Sequence, residues 1–251
     1  MQLADTATNE WIRRYHPAPN STSRLVCFPH AGGSASFFHP MSVRFSPDAE
    51  VVSLQYPGRQ DRRREPCIAT IDELADLIAE QLRSLSEKPT VFFGHSMGAV
   101  LAFEVARRLE ENGPGAPKAI VATGRRGPAT QRDEKIHLRT DDEIIEEVRL
   151  LNGADLTLLD DEFIQMALPS IRNDYRAIET YLSDEGRTVS CPITVMTGDA
   201  DPKTTVEEAG AWSEHTTGSF RVDVYKGGHF FIVEHQVAVN DEVEQQLKSL
   251  G

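Results

Sequence analysis

The chain has 251 residues, of which 39% are hydrophobic, so it can bury a large core within a single domain. Its formal net charge of -13 at pH 7 argues against nonspecific binding to nucleic acid. Three cysteines at irregular spacing (Cys27, Cys67 and Cys191) suit neither a disulfide framework nor a zinc site, and no apolar run is long enough for an export signal or a membrane span. We therefore expect a cytoplasmic protein with reduced thiols and no nucleic-acid or membrane partner.

Predicted strands alternate with helices in the first half of the chain. Strands are expected at Arg24 to Phe28 and at Glu50 to Gln55, and the Gly-rich turn 29–34 follows the first of them. Thr70 and Glu73 have the spacing of a capping box, which predicts that an amphipathic helix begins there. This alternation is typical of an α/β fold with a mostly parallel sheet and helices on both of its faces.

A strand, a sharp turn and a helix are predicted around Ser96. The apolar run 91–93 precedes Gly94-His95-Ser96-Met97-Gly98, and apolar residues at helical spacing follow it. A G-x-S-x-G pentapeptide in this context predicts a nucleophile elbow, in which the glycines allow one chain segment to cross another closely. The alternative is a Gly-rich turn that serves only to pack the helix on the sheet.

The regular alternation then breaks, because about 65 residues separate the strand that ends near Gly124 from the one at Cys191 to Thr197, more than a crossover needs. We interpret the segment from about 125 to 190 as a helical lid inserted into one domain that spans residues 1–251. Its second helix is predicted from about Asp160 to Leu182, with a kink or a split at Pro169.

The lid carries more apolar side chains than a surface excursion requires. We expect about half of them to face a substrate pocket and the rest to form the core of the lid. Phe163 and Met166 are the first candidates for the pocket.

A nucleophilic serine needs a histidine base, which is itself oriented by a carboxylate. Around an elbow of this kind the three occur in the order serine, acid, histidine, and only His215, His229 and His235 follow a plausible acid. His229 is favoured because it comes just after the last predicted strand, behind two glycines, whereas the other two fall in or beside helices. The acid should come just after the preceding predicted strand, which ends at Thr197.

Two carboxylates follow that strand, Asp199 and Asp201. Asp201 is favoured as the partner of His229, since Asp199 is placed to accept hydrogen bonds from backbone N–H groups of its own turn.

The oxyanion that forms in acyl transfer needs preorganised donors. The residue after the nucleophile supplies one backbone N–H, here that of Met97. The second donor should come from the Gly-rich turn after the first strand, where Ala31 is preferred and Gly32 is the alternative.

Six short strings together resemble the type II thioesterases of polyketide and nonribosomal peptide biosynthesis. They are Phe28-Pro29-His30-Ala31-Gly32-Gly33-Ser34, Tyr56-Pro57-Gly58-Arg59, Gly94-His95-Ser96-Met97-Gly98-Ala99, Gly124-Arg125-Arg126, Gly198-Asp199-Ala200-Asp201-Pro202 and Gly227-Gly228-His229-Phe230-Phe231. Each string alone is shared with lipases and esterases, but the combination is specific and extends over nearly the whole chain.

The resemblance implies an α/β-hydrolase fold and the hydrolysis of acyl groups from the phosphopantetheine arm of an acyl or peptidyl carrier protein, which clears stalled or misprimed chains. Ser96, Asp201 and His229 match the catalytic triad of that family. The chemistry requires no metal or cofactor, and no Cys/His cluster suggests one. A small-molecule esterase or acyltransferase would use the same triad, and a noncatalytic binding module is an alternative of another class.

Arginines concentrate in two places, after the second and the fifth predicted strands. Because a guanidinium can bind phosphate with two parallel hydrogen bonds, we expect at least one cluster to contact the carrier protein or its phosphate, with Arg62 and Arg63 as the first candidates. The alternative is that these arginines are solvated or pair with nearby acids such as Asp61 and Glu65. The two clusters are Arg59, Arg62, Arg63 and Arg64, and Arg125 and Arg126.

Overall fold

The computed structural model describes residues 9–111, 115–152 and 161–250, apart from the side chains of residues 152 and 161–163. Within these ranges the chain forms a seven-stranded sheet and eight α-helices. The strands are β1 (Ile12–Arg13), β2 (Ser23–Phe28), β3 (Ala49–Leu54), β4 (Thr90–His95), β5 (Ala119–Thr123), β6 (Ile193–Gly198) and β7 (Phe220–Tyr225). The helices are α1 (His39–Phe45), α2 (Ile71–Arg83), α3 (Met97–Glu111), α4 (Asp141–Asn152), α5 (Asp161–Glu179), α6 (Val206–Gly210), α7 (Phe231–Glu234) and α8 (Gln236–Lys248).

The strands lie in the order β1-β3-β2-β4-β5-β6-β7. Only the short β1 runs antiparallel to its neighbour, while the other pairs in this sheet are parallel. Strands β4, β5 and β6 are buried along their whole length, as expected of central strands covered on both faces. The mostly parallel sheet predicted from the alternation is therefore confirmed.

Helices cover both faces of the sheet, and a hydrophobic core lies on each side. Helices α2 and α3 pack on one face, where Ile78 and Phe103 are fully buried. Helices α1 and α8 pack on the other face and bury Phe45 and Val243. The amphipathic pattern of each helix thus directs its apolar side to the sheet.

Two helices, α4 and α5, lie between β5 and β6, within the segment interpreted as a lid. Thr140 and Glu143 cap the start of α4 reciprocally, since each side chain accepts a hydrogen bond from the other residue's backbone N–H. Helix α5 runs without a break through Pro169, so the predicted split at this proline is wrong. Because a proline has no backbone N–H, the carbonyl of Gln165 has no helical hydrogen-bond donor. Pro169 and Gln165 are both exposed, so water can donate a hydrogen bond to that carbonyl instead.

The carboxyl ends of the parallel strands meet at one edge of the sheet, where loops carry the predicted site residues. Ser96 follows β4, Asp201 follows β6 and His229 follows β7. No helix of the described ranges is long and apolar enough to cross a membrane.

Candidate active site

Ser96 occupies a strained turn between β4 and α3. Its φ angle is 55°, a left-handed conformation that non-glycine residues rarely adopt. Its backbone N–H donates a hydrogen bond of 2.8 Å to the carbonyl of Thr123 on the neighbouring strand. A Cβ atom at Gly94 would overlap the backbone of Gly98, and one at Gly98 would overlap the carbonyl of Phe28. The pentapeptide therefore forms an elbow because both glycines lie at close backbone crossings.

His229 contacts the carboxylate of Asp201. Its Nδ1 atom lies 3.0 Å from Oδ1 and 2.9 Å from Oδ2 of Asp201, and both side chains are buried. Oδ1 also accepts a hydrogen bond of 2.8 Å from the backbone N–H of Lys203, which fixes the carboxylate. When the imidazole is neutral, this contact favours the tautomer with a proton on Nδ1 and leaves Nε2 free to accept one.

Asp199 has different partners, although it lies two residues before Asp201. Its carboxylate accepts hydrogen bonds from Lys226 Nζ at 2.6 Å and from the backbone N–H of Gly227 at 3.1 Å, and the residue is exposed. The structure thus places Asp201 rather than Asp199 beside His229.

Ser96 and His229 line the same cavity, which has a volume of about 350 Å³. Apolar side chains of α4 and α5 form one wall. They are Val148, Leu151, Ile164, Ala167, Ile171 and Ile178. Polar side chains line another part of the cavity, and they are Arg125, Glu134, Tyr175, Glu179 and Lys203.

Phe163 and Met166 are the two side chains first expected to line the pocket. Met166 is 70% exposed and does not line the cavity, so its predicted place in the pocket is wrong. It lies off the face of α5 that carries Ile164, Ala167 and Ile171 at three- and four-residue spacing. The side chain of Phe163 lies outside the described residues.

The predicted oxyanion donors belong to two separate parts of the chain, the start of α3 and the turn after β2. Met97 is the first residue of α3, and Ala31 lines the cavity in the turn after β2. Across the described ranges, neither backbone N–H has a protein acceptor. The N–H of Gly32, the alternative donor, already forms a hydrogen bond of 2.8 Å with Asp174 Oδ2. This contact favours Ala31 over Gly32.

Two more histidines pack around His229. His95 is fully buried and its Nδ1 lies 2.9 Å from Thr123 Oγ1. Burial lowers the pKa of His95 well below its ordinary value, and burial with the nearby His229 lowers that of His30 to about 3. Both rings are therefore neutral at pH 7 and act as packing groups beside His229.

Most arginines of the two sequence clusters are buried, which corrects their expected role. Arg62 stacks over the ring of Trp11 at 4.4 Å, donates to the carbonyl of Gln55 at 2.8 Å and pairs with Glu65. Its predicted contact with the carrier protein is therefore wrong, because the side chain is buried and pairs with Glu65, as the alternative interpretation expected. Arg63 is exposed, and its role stays a prediction.

Burial also removes three further arginines from the enzyme surface. They are Arg59, Arg125 and Arg126.

Sequence patterns did not single out Asp174, Glu134 or Lys203, whereas Tyr175 was among the lid side chains of which about half were expected in the pocket. Asp174 and Tyr175 follow Ile171 by three and four residues, so the helical period that places Ile171 on the cavity side also predicts their position. Glu134 and Lys203 lie on irregular loops, where no period identifies them. In the part of the chain that the structure describes, no three His, Cys, Asp or Glu side chains are grouped to hold a metal ion.

The fold and the elbow define the class of protein, and comparison with solved structures agrees. The type II thioesterase BorB from the borrelidin biosynthetic cluster superposes with a TM-score of 0.91 at 46% sequence identity, covering 97% of this chain and 100% of that chain. The molecule is an α/β-hydrolase.

Sequence comparison then gives the family. A model of the thioesterase domain family matches residues 23–247. The chain is 60% identical over 245 residues to a probable cadicidin biosynthesis thioesterase of Streptomyces griseus, covering 97% of this chain and 68% of the relative. It is 44% identical over 239 residues to the thioesterase PikA5 of Streptomyces venezuelae, covering 94% of this chain and 85% of the relative. The chain belongs to the thioesterase domain family and is a thioester hydrolase of the type II group found in polyketide and nonribosomal peptide pathways.

Proposed function

We propose that this thioesterase hydrolyses acyl groups from the phosphopantetheine arm of a carrier protein by a serine mechanism. Ser96 is the nucleophile, His229 the general base and Asp201 the carboxylate that orients it. The observation that supports this assignment is the buried pair of His229 and Asp201, which lies on the cavity that Ser96 also lines.

In the first half of the reaction, Ser96 Oγ attacks the thioester carbonyl carbon while Nε2 of His229 takes the hydroxyl proton. The carbonyl oxygen becomes an oxyanion, which the backbone N–H groups of Met97 and Ala31 stabilise. The carbon–sulfur bond then breaks, and the thiol leaves with the proton that His229 returns. A thiol with a pKa of about 8.5 is a far better leaving group than an alcohol, so little acid catalysis is required.

In the second half, water attacks the acyl ester on Ser96 while His229 takes a proton from it. The ester bond to Oγ breaks, the carboxylic acid leaves, and His229 returns the proton to Ser96. The reaction consumes one water for each thioester and needs no redox partner. The lowered pKa values of His30 and His95 make both rings weaker bases, so His229 is assigned as the proton acceptor for Ser96.

The substrate proposal is tested by kcat/KM on three compounds with one acyl group: an acyl-carrier protein, its N-acetylcysteamine thioester and a matched oxygen ester. We expect kcat/KM to be highest for the acyl-carrier protein, lower for the N-acetylcysteamine thioester and lowest for the oxygen ester. Preference for the oxygen ester would identify an esterase, and acyl transfer to an added alcohol or amine instead of water would identify an acyltransferase. A protein that turns over none of them and takes no fluorophosphonate label would be a binding module.

Carrier recognition is assigned to the exposed loop after β3 at the edge of the sheet that carries the site. Arg63 and Arg64 are exposed there, next to Gln60, which lines the cavity. Arg63→Glu should raise KM for an acyl-carrier protein several-fold and leave the small thioester unaffected, because only the carrier bears the phosphorylated arm. Lys118→Glu, at the opposite edge of the sheet, is the matched control. If Arg63→Glu and Lys118→Glu changed KM for the acyl-carrier protein equally, the loop after β3 would not be the carrier-binding surface.

A further inference from the structure

Arg125 lies on the wall of the cavity and has unused hydrogen-bond donors. The residue is only 8% exposed, and its backbone carbonyl is fixed by a hydrogen bond of 2.8 Å from Trp212 Nε1. Its Nε atom is fully buried without a partner, and no described residue forms a hydrogen bond or an ion pair with its guanidinium. A guanidinium carries five N–H donors, so an unpartnered one inside a protein is costly unless a ligand supplies acceptors.

The acidic side chains whose charges act on Arg125 have other partners. Glu179 accepts hydrogen bonds from the backbone N–H groups of Ile136 at 2.8 Å and His137 at 3.1 Å. Glu134 accepts from Arg126 at 2.8 Å and from Lys203 at 3.1 Å, while Asp201 contacts His229. None of these three carboxylates forms a hydrogen bond with Arg125, which lines the cavity.

Arg125 keeps its charge under ordinary conditions. Burial and the neighbouring charge of Arg126 lower its pKa to about 9, which still leaves the group protonated at pH 7. The group is therefore a donor only, and any partner in the cavity must be an acceptor.

The charges around Arg125 decide what kind of acceptor fits. Within the described residues, the charged side chains of this region and their ion-pair partners carry four positive and four negative charges. The cations are Arg125, Arg126, Arg139 and Lys203, and the carboxylates are Glu134, Glu147, Glu179 and Asp201. The region has no shortage of negative charge, so what Arg125 lacks is a hydrogen-bond acceptor rather than a counter-ion.

We propose that Arg125 recognises a neutral oxygen acceptor, a keto or hydroxyl group, on the acyl chain that occupies the cavity. This inference rests on the proposed function, in which the acyl group on Ser96 extends into the same space. The apolar wall from α4 and α5 takes the methylene groups, and Arg125 selects oxygenated chains over plain alkyl chains of equal length. A second carboxylate on the chain is disfavoured by the acids already present.

The test uses thioesters of one thiol, N-acetylcysteamine, with hexanoyl, 3-oxohexanoyl, 5-oxohexanoyl and 4-carboxybutanoyl groups. The measured quantity is the ratio of kcat/KM for each oxygenated substrate to that for hexanoyl, in the wild type and in Arg125→Met. Intrinsic reactivity and any general damage cancel when the ratios of two proteins are compared. We expect the ratio for at least one oxo substrate to fall about 10-fold or more in the variant, because a hydrogen bond to a charged donor is lost.

Arg125→Lys keeps the charge and one compact donor, so it should retain part of the preference and serves as the second variant if Arg125→Met folds poorly. Arg44→Met, which changes an exposed arginine on α1, should keep the wild-type ratios. Ratios unchanged in both Arg125 variants would overturn the proposal, and so would a wild-type preference for the 4-carboxybutanoyl substrate that Arg125→Met removes. Failure of the proposed function is a separate result, in which the wild type hydrolyses none of the four thioesters.

Discussion

Arg59 and Asp174 form a buried ion pair that joins the loop after β3 to helix α5. Nη1 and Nη2 of Arg59 lie 2.6 Å and 3.0 Å from the two carboxylate oxygens, and the side chains are 5% and 0% exposed. Asp174 also accepts the N–H of Gly32, and Arg59 donates to the carbonyl of Gly33 at 3.1 Å. The pair therefore anchors the turn that carries Ala31 to the helix that lines the cavity.

Asp174→Asn should destabilise the protein and slow the reaction. Removing one charge of a buried pair leaves the other uncompensated, and we expect the free energy of unfolding to fall by about 3 kcal/mol. A looser turn should lower kcat more than it raises KM, because an oxyanion donor acts mainly in the transition state. Denaturant titration and steady-state kinetics with a small thioester measure the two effects.

The matched control is Asp141→Asn, which removes the carboxylate that pairs with Arg172 at 2.6 Å at the exposed start of α4. An exposed pair of this kind should contribute less than about 1 kcal/mol. If both variants lose the same stability and the same activity, the pair of Arg59 and Asp174 has no special part in holding the turn.

The two aspartates after β6 should differ sharply in their effect on kcat. Asp201→Asn should lower it by about 10³- to 10⁴-fold, because the amide disturbs the tautomer that lets His229 accept the serine proton. Asp199→Asn should lower kcat only a few-fold, because the Asp199 carboxylate accepts hydrogen bonds from Lys226 and the backbone N–H of Gly227 and does not contact His229. Both variants replace one oxygen by nitrogen, so each controls for the other. The reverse order would reassign the acid.

Substitutions on α5 should separate its cavity face from its solvent face. Ile164 is 3% exposed and lines the cavity, so Ile164→Phe should shift the preference toward short acyl chains by about 10-fold in kcat/KM for octanoyl relative to acetyl. Met166→Phe lies on the exposed side of the same helix and should leave the chain-length profile unchanged. A profile altered equally by both variants would mean that the wall of the cavity is not formed as described.

Glu50 should make stability depend on pH in the acid range. Burial alone raises the pKa of Glu50, but the hydrogen bond from Arg14 at 2.7 Å and the charge of Arg24 lower it to about 2. The ionised carboxylate therefore stabilises the folded state above the ordinary value of 4.5, and this contribution is lost as the pH falls from 4.5 toward 2.

Glu50→Gln should accordingly lower the free energy of unfolding at pH 7 by on the order of 2 kcal/mol, and the difference from the wild type should shrink below pH 4.5. Glu87→Gln, at an exposed position, should have little effect at either pH. A difference that stays constant between pH 7 and pH 3 would show that Glu50 acts through packing and not through its charge.

Local patterns predicted the parts of this molecule that depend on local geometry. The turn at Ser96 needs two glycines where backbone segments cross closely. The pentapeptide, the apolar run before it and the helical spacing after it therefore predict the position of this turn. The preference for His229 followed from its place after the last predicted strand, and the preference for Asp201 followed from the expectation that Asp199 binds backbone N–H groups of its own turn. The catalytic roles of these residues stay predictions.

The errors have physical causes that differ from residue to residue. Arg62 is long enough to stack on Trp11, a neighbour that no local pattern indicates. Asp174 pairs with Arg59, which is 115 residues away in sequence, so only the fold brings the two together. Met166 could have been placed correctly, because the helical period that contains Ile164 and Ile171 excludes it from the cavity face.

The central claim is that Ser96 forms a covalent acyl ester during thioester hydrolysis. Its most direct test is the mass of the Ser96 peptide after the wild-type protein is mixed with an acyl thioester and quenched with acid within one turnover. The account predicts that the mass of that peptide increases by the acyl group less one hydrogen and that Ser96→Ala shows no such increase. It also predicts a fall in kcat of about 10⁴-fold or more in this variant. Hydrolysis by Ser96→Ala at a wild-type rate would contradict it.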